Sequence, residues 1–481
     1  MTRFASAQGL NLTQSELDFV DVDVDTDNRL YLDPYAIQIR GDEWSASCGD
    51  HIRSFFNEVL DALRQGNNKR AAHLLGHLHE PNETFLGQSR GRPRGRGVGD
   101  EKARDLAAAL RRSTAFTTGV LSDISEAELF IPNVGPDTIS DLTTNILRRL
   151  LAEYTSSQCE LYSIPTHRFG GLGPTWSITS SDWRSQVLQL PVCNHRPVLL
   201  IPKHSVRRSI SLNSQEFYNH HMVEFLRREY LDSRSALVQT FKSGYKKGQR
   251  YVTKKSVKEK HPLIKDDLAT FVLKHPEILE AYKKIQGAKG PLENNDLDTG
   301  FDECAFARAL ITRLNRVPAG LKNAGEYHSI AMGICTFLFY PELIYPVKEK
   351  EIHVGRKRID IKFTNAAEEG FFLRMAQAHQ TRALSLPFEY KNYSSDINNP
   401  EFDQLGSRFG HQRGFFGIIL CRSITERQRI VNACRDAAND GRGYILIFSD
   451  ADITIMLESI EAGQRQRIDQ FLQTRFDEIS H

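Results

Sequence analysis

Apolar side chains recur three and four residues apart through much of the N-terminal third of the chain, the spacing of a helix with one buried face. Ile52, Phe55, Phe56, Val59, Leu60 and Leu63 make the first such stripe, and Asp50 stands where it could cap that helix. A second helix is predicted over residues 100–110, and a third carries Ile139, Leu142, Ile146, Leu147, Leu150 and Leu151 on one side. Residues 19–31 alternate valine with aspartate, the period of a half-buried strand. Val198, Leu199, Leu200 and Ile201, ended by Pro202, predict a short buried strand, and residues 216–230 a helix.

The last third has the clearest order. A helix is predicted over residues 326–339, then a strand at Leu343, Ile344 and Tyr345. Arg358, Ile359, Asp360, Ile361, Lys362 and Phe363 alternate charged with apolar, as a second strand would. A helical insert over residues 368–380 precedes a third strand, residues 387–393, and a helix starts near Pro400. Residues 415–420 read as an apolar strand, Ser423 and Glu426 as a capping box opening a helix that runs to Asn439, and residues 444–448 as a further strand. Asp450 and Asp452 follow a strand and are placed to cap the last helix or, alternatively, to rim the active site. The order implies an α/β domain, a mixed sheet with helices on its faces. It lies behind an N-terminal region that is mainly helical over residues 1–155 and α+β over residues 156–283. Residues 284–300, rich in glycine and lysine and then in asparagine and acids, read as a linker, leaving 301–481 as the C-terminal domain.

Composition narrows the classes. A chain of 481 residues, 40% hydrophobic and 25% charged, is ordinary globular protein of more than one domain. No apolar run reaches the length of about 18 residues that a membrane helix needs. The N-terminus lacks the apolar core of a signal peptide, so a cytoplasmic protein is expected. The seven cysteines are scattered without a CxxC pair, and Cys193 with His195 has no second pair to complete a zinc site. HExxH and GxxxxGK[ST] are both absent, so neither zinc-protease chemistry nor ATP hydrolysis is expected.

Three residues concentrate the chemistry. Glu389 and Lys391 are two apart in one predicted strand and so share a face, and Asp360 lies in the strand before it. Two carboxylates and an ammonium at one end of a sheet suit phosphodiester hydrolysis. Hard carboxylate oxygens hold Mg²⁺ (or Mn²⁺), and the lysine orients the attacking water or offsets transition-state charge. The bland alternative is a surface cross-strand ion pair, which is worth little.

This pattern resembles the PD-(D/E)XK superfamily, the fold of many restriction endonucleases, over residues 320–450. In that family an aspartate on one strand and Glu-x-Lys on the next form the active site, matching Asp360 and Glu389-Tyr390-Lys391. The resemblance implies a further acid from the first helix, here Glu326, and a glutamine from the helix after the third strand, here Gln404. By the same likeness Asp360, Glu389, Glu326 and the backbone carbonyl of Tyr390 would ligate the metal, and Arg408 would clamp a phosphate. Two departures stand out: Ile359 replaces the family's variable proline, and the gap between Asp360 and Glu389 is long.

Smaller signals remain open. Residues 242–260 hold Lys242, Lys246, Lys247, Arg250, Lys254, Lys255, Lys258 and Lys260 against Glu259, with Tyr245 and Tyr251 interleaved. They read either as a phosphate-neutralising surface or as a solvated charged segment. Residues 88–99, with Arg92, Arg94 and Arg96 among glycines, read either as an arm along a nucleic-acid backbone or as a plain loop. Asp21, Asp23, Asp25 and Asp27 do not fit a calcium loop, whose sixth and twelfth positions would be Thr26 and Leu32.

The expectation is thus a Mg²⁺-dependent DNA endonuclease, RNA not being excluded. By analogy it is a homo-oligomer, acts in prokaryotic defence against foreign DNA, and has room for an activator or protein partner. The alternatives are a repair or recombination nuclease of resolvase type, and a non-catalytic nucleic-acid-binding protein with a degenerate nuclease fold.

Overall fold

The computed structural model describes residues 2–87, 99–348 and 361–480. The arginines 92, 94 and 96 and the candidate Asp360 lie outside the described residues.

The first predicted helix is Glu43–Arg64, and it buries the expected stripe. It starts earlier than the position of Asp50 implied. Cys48 and Ser45 extend the buried face upstream, and the Asp42 carboxylate caps the helix by accepting the Ser45 N–H. Asp50 is instead exposed on the helix, paired with Arg53 at 2.7 Å. The other two helices are Gly99–Arg112 and Pro136–Tyr162, the latter opened by a proline at its first position.

Residues 19–31 do not form the expected strand; apart from isolated bridges, only Tyr31–Leu32 pairs, with Val206–Arg207. The aspartates bond backbone instead of lining a polar face. The Asp21 carboxylate accepts the Ala5 N–H at 2.7 Å, and Asp23 accepts the N–H groups of Thr2 and Asp25. The segment thereby wraps the chain's start rather than entering a ladder. Residues 198–201 are buried as expected but are not a strand: the Val198, Leu199 and Leu200 N–H groups go to Pro191, Glu83 and Thr155, in three different places. Residues 214–232 are helical throughout, α-helical at Ser214–Phe217 and Val223–Asp232 with a π turn at Tyr218–Met222 between.

Two hydrophobic cores lie along the chain. The first draws on residues 4–282 with Tyr340, Ile344 and Tyr345, and the second on residues 307–479. Residues 284–300 run between them. They take in the end of helix Pro276–Gly287 and the short helix Asn294–Leu297, and the Leu292 carbonyl accepts from the Tyr340 hydroxyl at 3.0 Å.

The second core is built by α1 (Glu303–Arg316), α2 (Ala324–Phe339), β1 (Leu343–Val347), β2 (Ile361–Asn365), α3 (Gly370–Gln377), β3 (Ser385–Lys391), α4 (Asn399–Gly406), β4 (Phe416–Cys421), α5 (Arg427–Asn439), β5 (Tyr444–Ser449), α6 (Asp450–Glu461) and α7 (Arg467–Ser480). The five strands stand in sequence order; β1–β2 and β2–β3 are antiparallel, whereas β3–β4 and β4–β5 are parallel. The mixed α/β architecture expected for this region is present. The antiparallel β2–β3 pair is joined through α3, and the parallel half by the crossover helices α4 and α5.

Two local expectations fail here. Ser423 does not cap α5; the Asp396 carboxylate, from another loop, accepts the Thr425 and Glu426 N–H groups at 2.9 Å. Asp452 does cap a helix, in a capping box with Ser449, but that helix is α6 and α7 still follows.

Candidate active site

Alternation along β3 sorts its side chains. Phe388 and Tyr390 face α2, where Phe388 lies against Phe339 and Tyr390 against His328, with the latter ring centroids 4.8 Å apart. Pro387, Glu389 and Lys391 face the other way, toward α4. The Lys391 Nζ stands 3.0 Å from the Glu389 Oε2, and the Gln404 amide donates to both Glu389 oxygens at 3.2 and 3.1 Å. The Lys391 ammonium is also 3.4 Å from the Gln404 Oε1. The Glu389 side chain is 1% exposed and that of Lys391 11%. Three of the residues singled out in the sequence therefore meet in one nearly buried cluster.

The position of α4 has a packing cause. The Phe409 ring sits directly against Gly417 and Gly443, where a Cβ on either glycine would collide with it. This pins the end of α4 to the sheet and holds Gln404 over Glu389.

Arg408 follows Gln404 by four residues, with its N–H still bonded to the Leu405 carbonyl. It is 4% exposed, and its Nε and Nη2 find no hydrogen-bond partner among the described residues. A buried guanidinium with unsatisfied donors is costly unless an anion meets it.

The carboxyl edge of the parallel half carries more charge. Lys391 ends β3 and is in register with Cys421 at the end of β4, which in turn aligns with Ser449 at the end of β5. The next residues, Arg422 and Asp450, form an ion pair at 3.1 Å, and the Tyr327 hydroxyl donates to Asp450 at 2.9 Å. Burial pushes the Asp450 carboxyl up to about 6, with Arg422 and Tyr327 opposing that rise. Sequence reasoning offered Asp450 as a helix cap or a rim of the active site, and did not find its partners Arg422 and Tyr327. The available signal was that Arg422 and Asp450 directly follow parallel strands, the edge where open α/β sheets bind ligands.

The remaining candidates are more dispersed. Glu326 is exposed in the first turn of α2, beside a cleft of about 640 Å³ between the N-terminal region and the sheet domain that Arg316, His328, Lys348 and Ile361 also line. Tyr390 lies in the β3–β4 ladder opposite Leu420. Asp360 lies outside the described residues; its chain neighbour Ile361 pairs with Phe388, the residue before Glu389. Among the described residues no group of three or more His, Cys, Asp or Glu side chains is arranged to hold a metal. Lys246, Lys247 and Arg250 are exposed on a hairpin. Lys254 and Lys255 open the helix Lys254–Lys260, where Lys254 pairs with Glu224 at 2.5 Å. All seven cysteines are free, and all but Cys304 are buried. Among the described residues no helix is long and apolar enough to cross a membrane.

Residues 9–213 match a family described as a domain of unknown function (DUF8370). Neither the curated proteins nor the solved structures gave a match to the chain.

Proposed function

We propose that the sheet domain is a metal-dependent endonuclease of the PD-(D/E)XK type that hydrolyses phosphodiester bonds of DNA. The observation that carries this reading is the Glu389–Lys391–Gln404 cluster, with the buried Arg408 guanidinium one turn further along the chain. The donor set suits Mg²⁺ or Mn²⁺: the carboxylates of Glu389 and Asp360 and the Tyr390 carbonyl are hard oxygens, with Glu326 a further carboxylate on α2. When bound, the metal supplies a lowered pKa for the attacking water and charge neutralisation at the phosphate.

The chain's own residues do the rest. Lys391, fixed by Glu389, presents its ammonium to the water or to the phosphate oxygen that gains charge. Gln404 holds Glu389 in place and offers its amide to the same water. Arg408 supplies a guanidinium whose bidentate geometry fits a phosphate. Water oxygen joins phosphorus as the bond to the leaving sugar oxygen breaks. Cutting two strands calls for two such sites, which makes a homo-oligomer part of the proposal. Action on foreign DNA in a prokaryotic host, triggered by an activator or partner, is its biological extension.

One observation favours a second reading, a non-catalytic nucleic-acid-binding protein. The Glu389 carboxylate already accepts from Lys391 and Gln404, as a purely structural pair would. Plasmid, single-stranded DNA, RNA and branched DNA, each incubated with Mg²⁺, Mn²⁺ or EDTA, separate the two. The nuclease reading expects metal-dependent cutting by the wild type and none by Lys391→Ala. Binding without cutting by both proteins, on every substrate, supports the second reading.

A further inference from the structure

The basic segment that follows residue 238 folds into a compact hairpin. Gln239–Thr240 pairs with Arg250–Tyr251, and the ladder continues as the Phe241 N–H bonds the Gln249 carbonyl at 3.0 Å and the Gly248 N–H bonds the Phe241 carbonyl at 2.9 Å. Phe241 and Tyr251 stack at 4.1 Å between centroids and brace its base. A turn closed by the Lys247 N–H on the Gly244 carbonyl at 3.1 Å puts Tyr245 and Lys246 at the apex. Gly244 and Gly248, at φ of 78° and 88°, supply the left-handed backbone this turn needs. From Gln239 to Tyr251 the ribbon carries Lys242, Lys246, Lys247 and Arg250 and no acid.

The apex is unusual. Among the described residues Tyr245, at 92%, is the most exposed large hydrophobic side chain, and the Lys246 ammonium lies 5.4 Å from its ring centroid. An aromatic side chain this exposed at a turn, with Lys246 and Lys247 beside it in the chain, adds little to the fold and suits an anionic partner with flat apolar groups inside it.

We infer that this hairpin is a duplex-DNA reading element that enters the major groove with Tyr245 leading. The major groove of B-form DNA admits a two-stranded ribbon, whereas the deep, narrow major groove of A-form RNA does not. Beyond the braced base, Lys242 and Ser243 carry the ribbon out by about 7 Å, at roughly 3.3 Å per residue, and the Tyr245 side chain at the turn extends its reach toward the groove floor. Lys242 and Arg250 flank the ribbon nearer its base, where they meet the phosphates. Lys246 and Lys247 neutralise phosphates near the tip, and the Tyr245 ring packs on the base edges. This role does not depend on hydrolysis, and its test reads binding alone.

The full chain in EDTA, so that no cutting intervenes, is titrated into labelled duplex DNA, duplex RNA of the same sequence and single-stranded DNA, and separately into vesicles containing phosphatidylserine. Tightest binding is expected for duplex DNA. Lys246→Ala/Lys247→Ala should lower the slope of log affinity against log salt by about two. Tyr245→Ala should weaken duplex binding roughly tenfold, while Tyr245→Phe keeps it. Because the side chain is exposed, all variants should retain the wild-type melting transition. Three results would overturn the inference: Tyr245→Ala binding as tightly as wild type, duplex RNA or single strands binding more tightly than duplex DNA, or vesicle binding without DNA binding.

Discussion

Replacing Lys391 by methionine removes the ammonium from a nearly buried carboxylate and leaves the stem that fills its space. Glu389 would then face Gln404 alone of the two donors described above, with its side chain 1% exposed. Removing one partner of such a pair costs about 3–5 kcal/mol when the other stays charged. The carboxylate can avoid the full cost by taking up a proton. From an ordinary value of about 4.3, protonation costs about 3.7 kcal/mol at pH 7 and about 1 kcal/mol at pH 5. The loss should therefore depend on pH. In the variant the folded-state pKa of Glu389 is raised, so its contribution is present at low pH and lost as pH rises. Urea denaturation of wild type and Lys391→Met from pH 5 to 8 should show a deficit growing from about 1 kcal/mol at pH 5 to about 3–5 kcal/mol at pH 8. The double variant Glu389→Gln/Lys391→Met should recover most of it. A deficit that is the same at pH 5 and pH 8, or one below about 1 kcal/mol at pH 8, would mean that Glu389 is hydrated and that the buried cluster does not exist in solution.

Arg408→Met should raise stability in the same assay by about 1–3 kcal/mol, because it removes donors that the fold leaves unsatisfied, and should abolish cutting; a destabilised variant that still cuts would show that Arg408 is structural. Asp450, raised to about 6, makes the protein less stable as pH climbs from 4 to 6, by up to about 3 kcal/mol. The difference profile between wild type and Asp450→Asn should change over that window and be flat above it. A difference that changes only above pH 7 would point to another group.

Much of the sheet domain was legible because its signals are local. The Glu389–Lys391 pair follows from strand alternation, whereas Gln404 came from the family resemblance, which asks for a glutamine on the helix after that strand. The buried state of Arg408 was not legible, because its chain neighbour Phe409 packs against Gly417 and Gly443, which lie outside α4 in the chain, and no local pattern marks that contact. The N-terminal misreadings share one physical origin. At residues 19–31 and 198–201 the apolar pattern correctly marked burial, but the backbone partners lie far away in sequence. Asp21 reaches Ala5, and Leu199 reaches Glu83. A period of two reports which side chains are buried, not what the N–H groups find. The same holds for α5, where Asp396 supplies the cap that Ser423 seemed to offer.

The most direct test of the account is a plasmid-nicking assay comparing wild type with Glu389→Gln. The substitution keeps the shape of the side chain and an oxygen for the hydrogen bond from Lys391, and removes only the charge that would hold a divalent ion. The account predicts Mg²⁺- or Mn²⁺-dependent conversion of supercoiled plasmid by wild type, loss of that activity in Glu389→Gln, and similar DNA affinity for both in EDTA. Equal cutting by the two proteins, or cutting by wild type that EDTA does not stop, would contradict it.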